Sequence, residues 1–237
     1  MDCSPVPYCS ADMSTPLSSR ALIVGGTGPT GPAIVRGLEE RGLNVTLFHT
    51  GRHEVDEVAH VEHLHGDPFS AEGVAAALAG RSFDVVVACY GRLRTIAEVL
   101  SGRCDRFVSV GGTPAYRGYF DPTRFDPPGL PIPTAEDAPR SSEDDDGKSY
   151  RVARTEDLLF EYQPSAIHLR YPFVYGPRQI APLDWCIVRR VLDRRPAIIL
   201  PEGGLAAETR SFSENAAHTV LLAVDHSDAG GRAFNVG

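Results

Sequence analysis

Tyr150 and Arg154, in the stretch GKSYRVARTEDLLFEY, are a candidate proton-transfer pair. The stretch has helical spacing, and positions i and i+4 share a helix face. A fixed cation beside a phenol stabilises the phenolate, which makes the phenol a better proton donor. The same pair on an outer face would be an ordinary surface contact, so the elements that position it decide its meaning.

A second constellation lies near the N-terminus. In IVGGTGPTG, Gly25, Gly28 and Gly31 stand at G-x-x-G-x-x-G spacing, with Pro29 and Thr30 inside the turn. Glycines there permit a tight turn and let the backbone approach a diphosphate at a helix N-terminus. A lone triplet is a weak signal, but here it follows an apolar strand-like run and precedes a helical pattern, as dinucleotide binding requires. The end of the next strand reads the ribose: an acid bonds the 2′-hydroxyl, and a basic residue accommodates a 2′-phosphate. Here LFHTGRH puts His49 in the acid's place, followed by Arg52, with no carboxylate before Glu54. This favours NADP over the alternative, NAD. Asp67, in HGDPF at the third strand's end, is placed to accept from an adenine amino group.

The elements around these residues alternate. ALIV (21–24), NVTLF (44–48), VEHLH (61–65), DVVVACY (84–90), RFVSV (106–110) and SAIHLRY (165–171) read as strands. So do AIIL (197–200) and AFNV (233–236). Helical patterns over 32–42, AEGVAAALAG, IAEVLSG, 183–195 and 214–225 fall between them, and PFVYGPRQIAP reads as a loop. Near-continuous apolar runs imply strands buried on both faces, as in a parallel sheet. The alternation predicts an α/β fold with a Rossmann-type doubly wound parallel sheet. Between Thr113 and Gly147 a proline-rich, acid-rich stretch breaks the pattern. Its first part is expected to border the active site, and SSEDDDG to be a solvated, mobile turn.

The 237-residue chain, 42% apolar, suits one large domain with a small appendage. A net charge of −8 without a basic stripe argues against nucleic acid as a partner. No apolar run approaches the roughly 18 residues of a membrane span. Five cysteines, odd in number and without C-x-x-C spacing, read as free thiols of a reducing, cytoplasmic compartment. Residues 1–19, rich in Ser and Pro, read as a disordered lead. His60, His63 and His65 raise the question of a metal, but no further ligand cluster is evident and no metal site is expected. Cys89 and Tyr90 follow the fourth strand, where such a fold lines its cofactor pocket, and read as wall residues.

Together, GGTGPTG, HGD, FDVVVACYG, RFVSVGGTPAYRG, Tyr150 with its helix, LRYPFVYGPR and GRAFNVG resemble the extended, and especially the atypical, short-chain dehydrogenase/reductases, the NAD-dependent epimerase/dehydratase family. The resemblance covers residues 20–237. It implies that Thr113 positions a substrate oxygen, that Tyr150 transfers the proton, and that Arg154 stands where the family has a lysine that binds the nicotinamide ribose. Arginine is not a neutral exchange for a compact ammonium. The pair Gly111 and Gly112 stands where serines are usual. The resemblance further places Pro172 and Phe173 near the nicotinamide, and Tyr175 and Arg178 towards the substrate. Arg210 matches an arginine that clamps a diphosphate in nucleotide-sugar enzymes, an assignment that competes with a surface ion pair. The implied organisation is a dinucleotide-binding domain over 20–173, a small substrate lobe over 174–212, and a return to the main sheet over 213–237. A small or incomplete lobe would leave the site open, or closed by a second copy in a homodimer.

Three functional readings follow. The first is an NADP-dependent oxidoreductase acting on a carbonyl or alcohol of a small metabolite. The second is a nucleotide-sugar epimerase or dehydratase, and the third a non-catalytic dinucleotide-binding sensor or scaffold.

Overall fold

The computed structural model describes residues 19–237 apart from positions 125, 127, 180–182 and 206. The lead expected over 1–19 thus lies outside the described residues except for Ser19. The elements run β1 (Arg20–Val24), α1 (Gly31–Glu40), β2 (Asn44–His49), β3 (Glu62–His65), α2 (Ala71–Leu78), β4 (Phe83–Ala88), α3 (Leu93–Val99), β5 (Cys104–Gly112), α4 (Gly147–Tyr162), β6 (Ile167–Tyr171), β7 (Phe173–Tyr175), α5 (Trp185–Leu192), β8 (Arg210–Phe212), α6 (Ser213–Asp225) and β9 (Arg232–Asn235). Seven strands form one sheet in the order β3-β2-β1-β4-β5-β6-β9, every pair parallel. The AFNV strand therefore closes one edge of the main sheet, as expected.

Alternation along the central strands explains the layers. Ala21, Ile23, Val85 and Val87 pack on the face covered by α1 and α6, while Leu22, Val24, Val86 and Ala88 pack on the other, under α2, α3 and α4. Successive strand residues point to opposite faces, and both faces are buried, so the runs are apolar without a gap. No described helix is long and apolar enough to cross a membrane.

Two readings of 172–212 are corrected. PFVYGPRQIAP is not all loop: β7 pairs in parallel with β8 as a separate two-stranded sheet. AIIL is not a strand: residues 197–200 have no strand neighbour, and all three large side chains are exposed, Ile199 to 92%. A β-prone run without a partner edge has nothing to bond to. The acidic stretch also differs from expectation. Asp145 accepts bonds from the Ser142 amide and hydroxyl (both 2.9 Å) and from Arg117 (3.1 Å). Asp146 caps α4 by accepting from the amides of Lys148 and Ser149, as an N-cap carboxylate does.

Candidate active site

In a parallel sheet all strand C-termini lie along one edge. The chain order reverses between β1 and β4, and ligands of such sheets bind in the crevice at that point. The glycine turn stands there. Gly25 and Gly26 have φ of +106° and +91°, a region that side chains rarely adopt. A Cβ at Gly31 would lie 2.0 Å from the Gly26 carbonyl oxygen, so α1 packs on the turn only with glycine. A Cβ at Gly28 would meet nothing within 4 Å. The space over Gly28 is open, which fits a diphosphate lying against the backbone. Thr30 is the N-cap of α1 but makes no side-chain cap, and proline follows at the helix start. Pro29 and Pro32 carry no amide hydrogen, so this turn offers fewer donors than a usual one.

At the β2 end, His49 is buried, with its Nε2 2.9 Å from His63 Nδ1. Arg52 is exposed, its amide bonds Thr50 Oγ1 at 3.4 Å, and its guanidinium makes no bond among the described residues. Asp67 is exposed and accepts from the Phe69 amide (2.9 Å) through one oxygen, and the second has no partner among the described residues. Tyr90 meets Phe69 edge to face, with centroids 5.3 Å apart. The sequence reading missed Phe69. Its signal was an exposed-type aromatic directly after a strand-end Asp-Pro. Burial pushes the Cys89 thiol up to about 12, which disfavours the thiolate that a nucleophile needs.

At the other end of the crevice, β5 runs into a 3-10 turn, Thr113–Ala115, which packs against α4. That packing brings the turn that begins at Thr113 to the helix that carries Tyr150 and Arg154. Tyr150 is half-buried in the first turn of α4 and Arg154 is exposed one turn on. The inward face of α4 is Ser149, Ala153, Glu156 and Leu159; Tyr150 and Arg154 flank it. Gly111, in place of a serine, has a local cause. A Cβ at Gly111 would lie 2.5 Å from the buried His168 ring.

His168 belongs to a buried network that sequence reasoning missed. Arg170 grips Glu156 with two bonds (2.9 and 2.8 Å) and donates to Tyr116 Oη (2.7 Å) and the Glu136 carbonyl (3.0 Å). Tyr116 donates to Asn235 Oδ1 (2.7 Å), whose amide group holds the Thr134 carbonyl (2.9 Å). Burial alone would raise the Glu156 carboxyl, but His168 and Arg170 outweigh it and hold the group at about 2. These bonds tie parts of the proline-rich stretch to α4, β6 and β9, beside the turn that carries Thr113.

The residues assigned to substrate divide. Pro172 and Phe173 follow β6, with Phe173 exposed, and Tyr175 packs on Phe212 at 5.6 Å. Arg178 pairs with Glu57 and borders a cavity of about 360 Å³ that also touches Pro29, Arg36 and Glu214. Neither Thr113 nor Tyr150, the residues expected at the reacting end, lines that cavity. Arg210 is engaged with Asp184 and, at 2.9 Å, with Glu208.

No protein-family model and no curated protein matches the sequence. Solved structures do. UDP-glucose 4-epimerase from Thermotoga maritima, with UDP-glucose, superposes with a TM-score of 0.72 at 18% identity over 92% of this chain and 76% of that one. The Bordetella bronchiseptica enzyme WbmH in complex with NAD+ gives 0.70 at 17%, over 92% and 75%. The dTDP-glucose 4,6-dehydratase of Bacillus anthracis in complex with NAD gives 0.69 at 16%, over 92% and 75%. The chain shares its fold with the NAD-dependent epimerases and dehydratases. This epimerase/dehydratase fold is the one that the motifs imply. The shared fold extends over 92% of this chain; identity this low carries the fold and not the substrate.

Proposed function

We propose that the chain binds a nicotinamide dinucleotide along the crevice and uses it on a nucleotide sugar, as an epimerase or dehydratase. The observation that carries the reading is the glycine turn at the β1/β4 switch point, closed under α1 at Gly31 and open at Gly28. The bound NAD of WbmH and of the dehydratase, and the UDP-glucose of the epimerase, support it. The dinucleotide, when bound, supplies hydride exchange at its nicotinamide.

The chain's own residues then have these roles. Thr113 holds the substrate oxygen, Tyr150 takes or gives its proton, and Arg154 orients the ribose and favours the phenolate. Gly25, Gly28, Pro29, Thr30 and Gly31 carry the diphosphate. Asp67 bonds the adenine, and Cys89, Tyr90, Pro172 and Phe173 form the walls. At the adenosine ribose, NAD in the neighbours favours the unphosphorylated form. Arg52, whose guanidinium has no partner among the described residues, favours NADP for this chain, with no acid at the β2 end.

A second reading has a specific observation behind it. Both cations suited to a sugar diphosphate, Arg178 and Arg210, are engaged with carboxylates. A small uncharged carbonyl or alcohol would not require their release.

Turnover of UDP-glucose, dTDP-glucose and a carbonyl panel with either dinucleotide separates the readings. Tyr150→Phe is expected to lower turnover by about 10²–10⁴-fold with little change in dinucleotide affinity. Unchanged turnover in Tyr150→Phe would remove the proton-transfer role. Dinucleotide binding without turnover of any substrate would leave the sensor or scaffold reading.

A further inference from the structure

Three histidines and a glutamate meet at the far edge of the sheet. His63 and His65 alternate on β3 and so share a face. Parallel pairing sets His49 directly opposite His65. Glu54 returns from the loop after β2. One ligand atom from each of the four residues lies within 4.8 Å of the other three. We propose that His49, Glu54, His63 and His65 form a binding site for a first-row transition metal ion, with zinc the best fit.

Two of the spacings are those of a tetrahedral site, and the others lie within reach of it. Bonds of about 2.0–2.1 Å put tetrahedral ligand atoms about 3.3 Å apart. His63 Nδ1 is 3.3 Å from Glu54 Oε2, and His65 Nε2 is 3.2 Å from Glu54 Oε1. His49 Nε2 is 2.9 Å from His63 Nδ1 and 3.9 Å from Glu54 Oε2. Imidazole nitrogen with one carboxylate suits zinc and its neighbours, whereas magnesium and calcium take all-oxygen shells.

The outer contacts agree. His63 Nε2 lies 2.9 Å from the Val58 carbonyl oxygen, so it carries the proton there and leaves the Nδ1 lone pair facing the cluster. A metal-bound histidine ordinarily donates its other N–H in this way. His49 is set differently. Its Nδ1 accepts a long bond of 3.2 Å from the Gly51 amide, which puts the proton on Nε2, shared with His63. Coordination by His49 requires the other tautomer and loss of that bond. His63, His65 and Glu54 are therefore the core of the site, and His49 completes it. His65 and Glu54 are exposed, which gives an ion a path in. His60, close by in sequence, is outside the site and bonds Glu39 at 2.9 Å.

The site borders the loop that carries Arg52, but its test does not depend on nucleotide. Full-length, tag-free protein is stripped with a chelator and dialysed against zinc or cobalt(II). The expected result is one equivalent bound, with a tetrahedral cobalt spectrum lacking thiolate charge transfer. Glu54→Gln, on an exposed side chain, is expected to weaken zinc by at least tenfold, and His63→Ala with His65→Ala by more than about 100-fold. His60→Ala should leave binding unchanged. No stoichiometric metal, a thiolate band, or affinity indifferent to Glu54→Gln and the double variant would overturn the site.

Discussion

The seven-stranded body and the segment from Gly176 to Thr209 use apolar residues in opposite ways. In the body, β1 and β4 bury every large apolar side chain on one face or the other. In the segment, α5 has no buried residue, and Trp185, Ile187, Val188, Val191 and Leu192 are all exposed. Both stretches are equally legible as amphipathic or apolar sequence. The difference teaches that a hydrophobic pattern predicts an element and not its partner. The body finds partners within the described chain, whereas α5 shows an apolar stripe that nothing described covers. Stability should therefore be concentrated in the body, and chemistry confined to the edge where body and segment meet.

The comparison breaks first, if it breaks, at the buried charge of the body. Glu156→Gln leaves the Arg170 guanidinium buried with its charge uncompensated, and should cost about 3–5 kcal/mol in urea unfolding. The same residue sets an acid limit. Its carboxyl is held at about 2 when folded against 4.5 unfolded. Its contribution is complete above pH 4.5 and is lost as pH falls from there through about 2. Wild type should lose roughly 3 kcal/mol to this residue over that window, and Glu156→Gln should lack that component. Leu22→Ala, in the central strand, should cost about 2–5 kcal/mol by transfer and cavity. The smallest effect is expected in the segment: Val191→Ala, at 65% exposure, should stay within about 0.5 kcal/mol. A Val191→Ala loss near that of Leu22→Ala would show that α5 is covered in solution.

What was legible follows the same division. The sheet was readable because two-sided burial makes unbroken apolar runs, and the glycine turn because its context is local. The β7–β8 pair was not, because three-residue strands carry no period. AIIL read as a strand by composition alone, and only a neighbouring edge could have made it one. The acids of SSEDDDG read as mutual repulsion, whereas Asp146 works through two amides of its own helix. Arg170, in HLRY, gave no sign of burial, since its partner Glu156 sits 14 residues earlier and on another element. Gly111 looked like a lost serine and is instead the space for His168. The cluster of His49 with His63 and His65 depends on strand register, which the histidines' own spacing does not state.

The central claim is that the open turn at the switch point holds a nicotinamide dinucleotide. Gly28→Val tests it directly, because a Cβ there meets no atom within 4 Å beyond its chain neighbours, and the side chain would enter the space assigned to the ligand. Calorimetric titration with NADH and NADPH should show saturable binding to the wild type. The variant should lose at least about tenfold in affinity, with an unchanged unfolding midpoint. Absence of binding to the folded wild type, or equal affinity in Gly28→Val, would contradict the account.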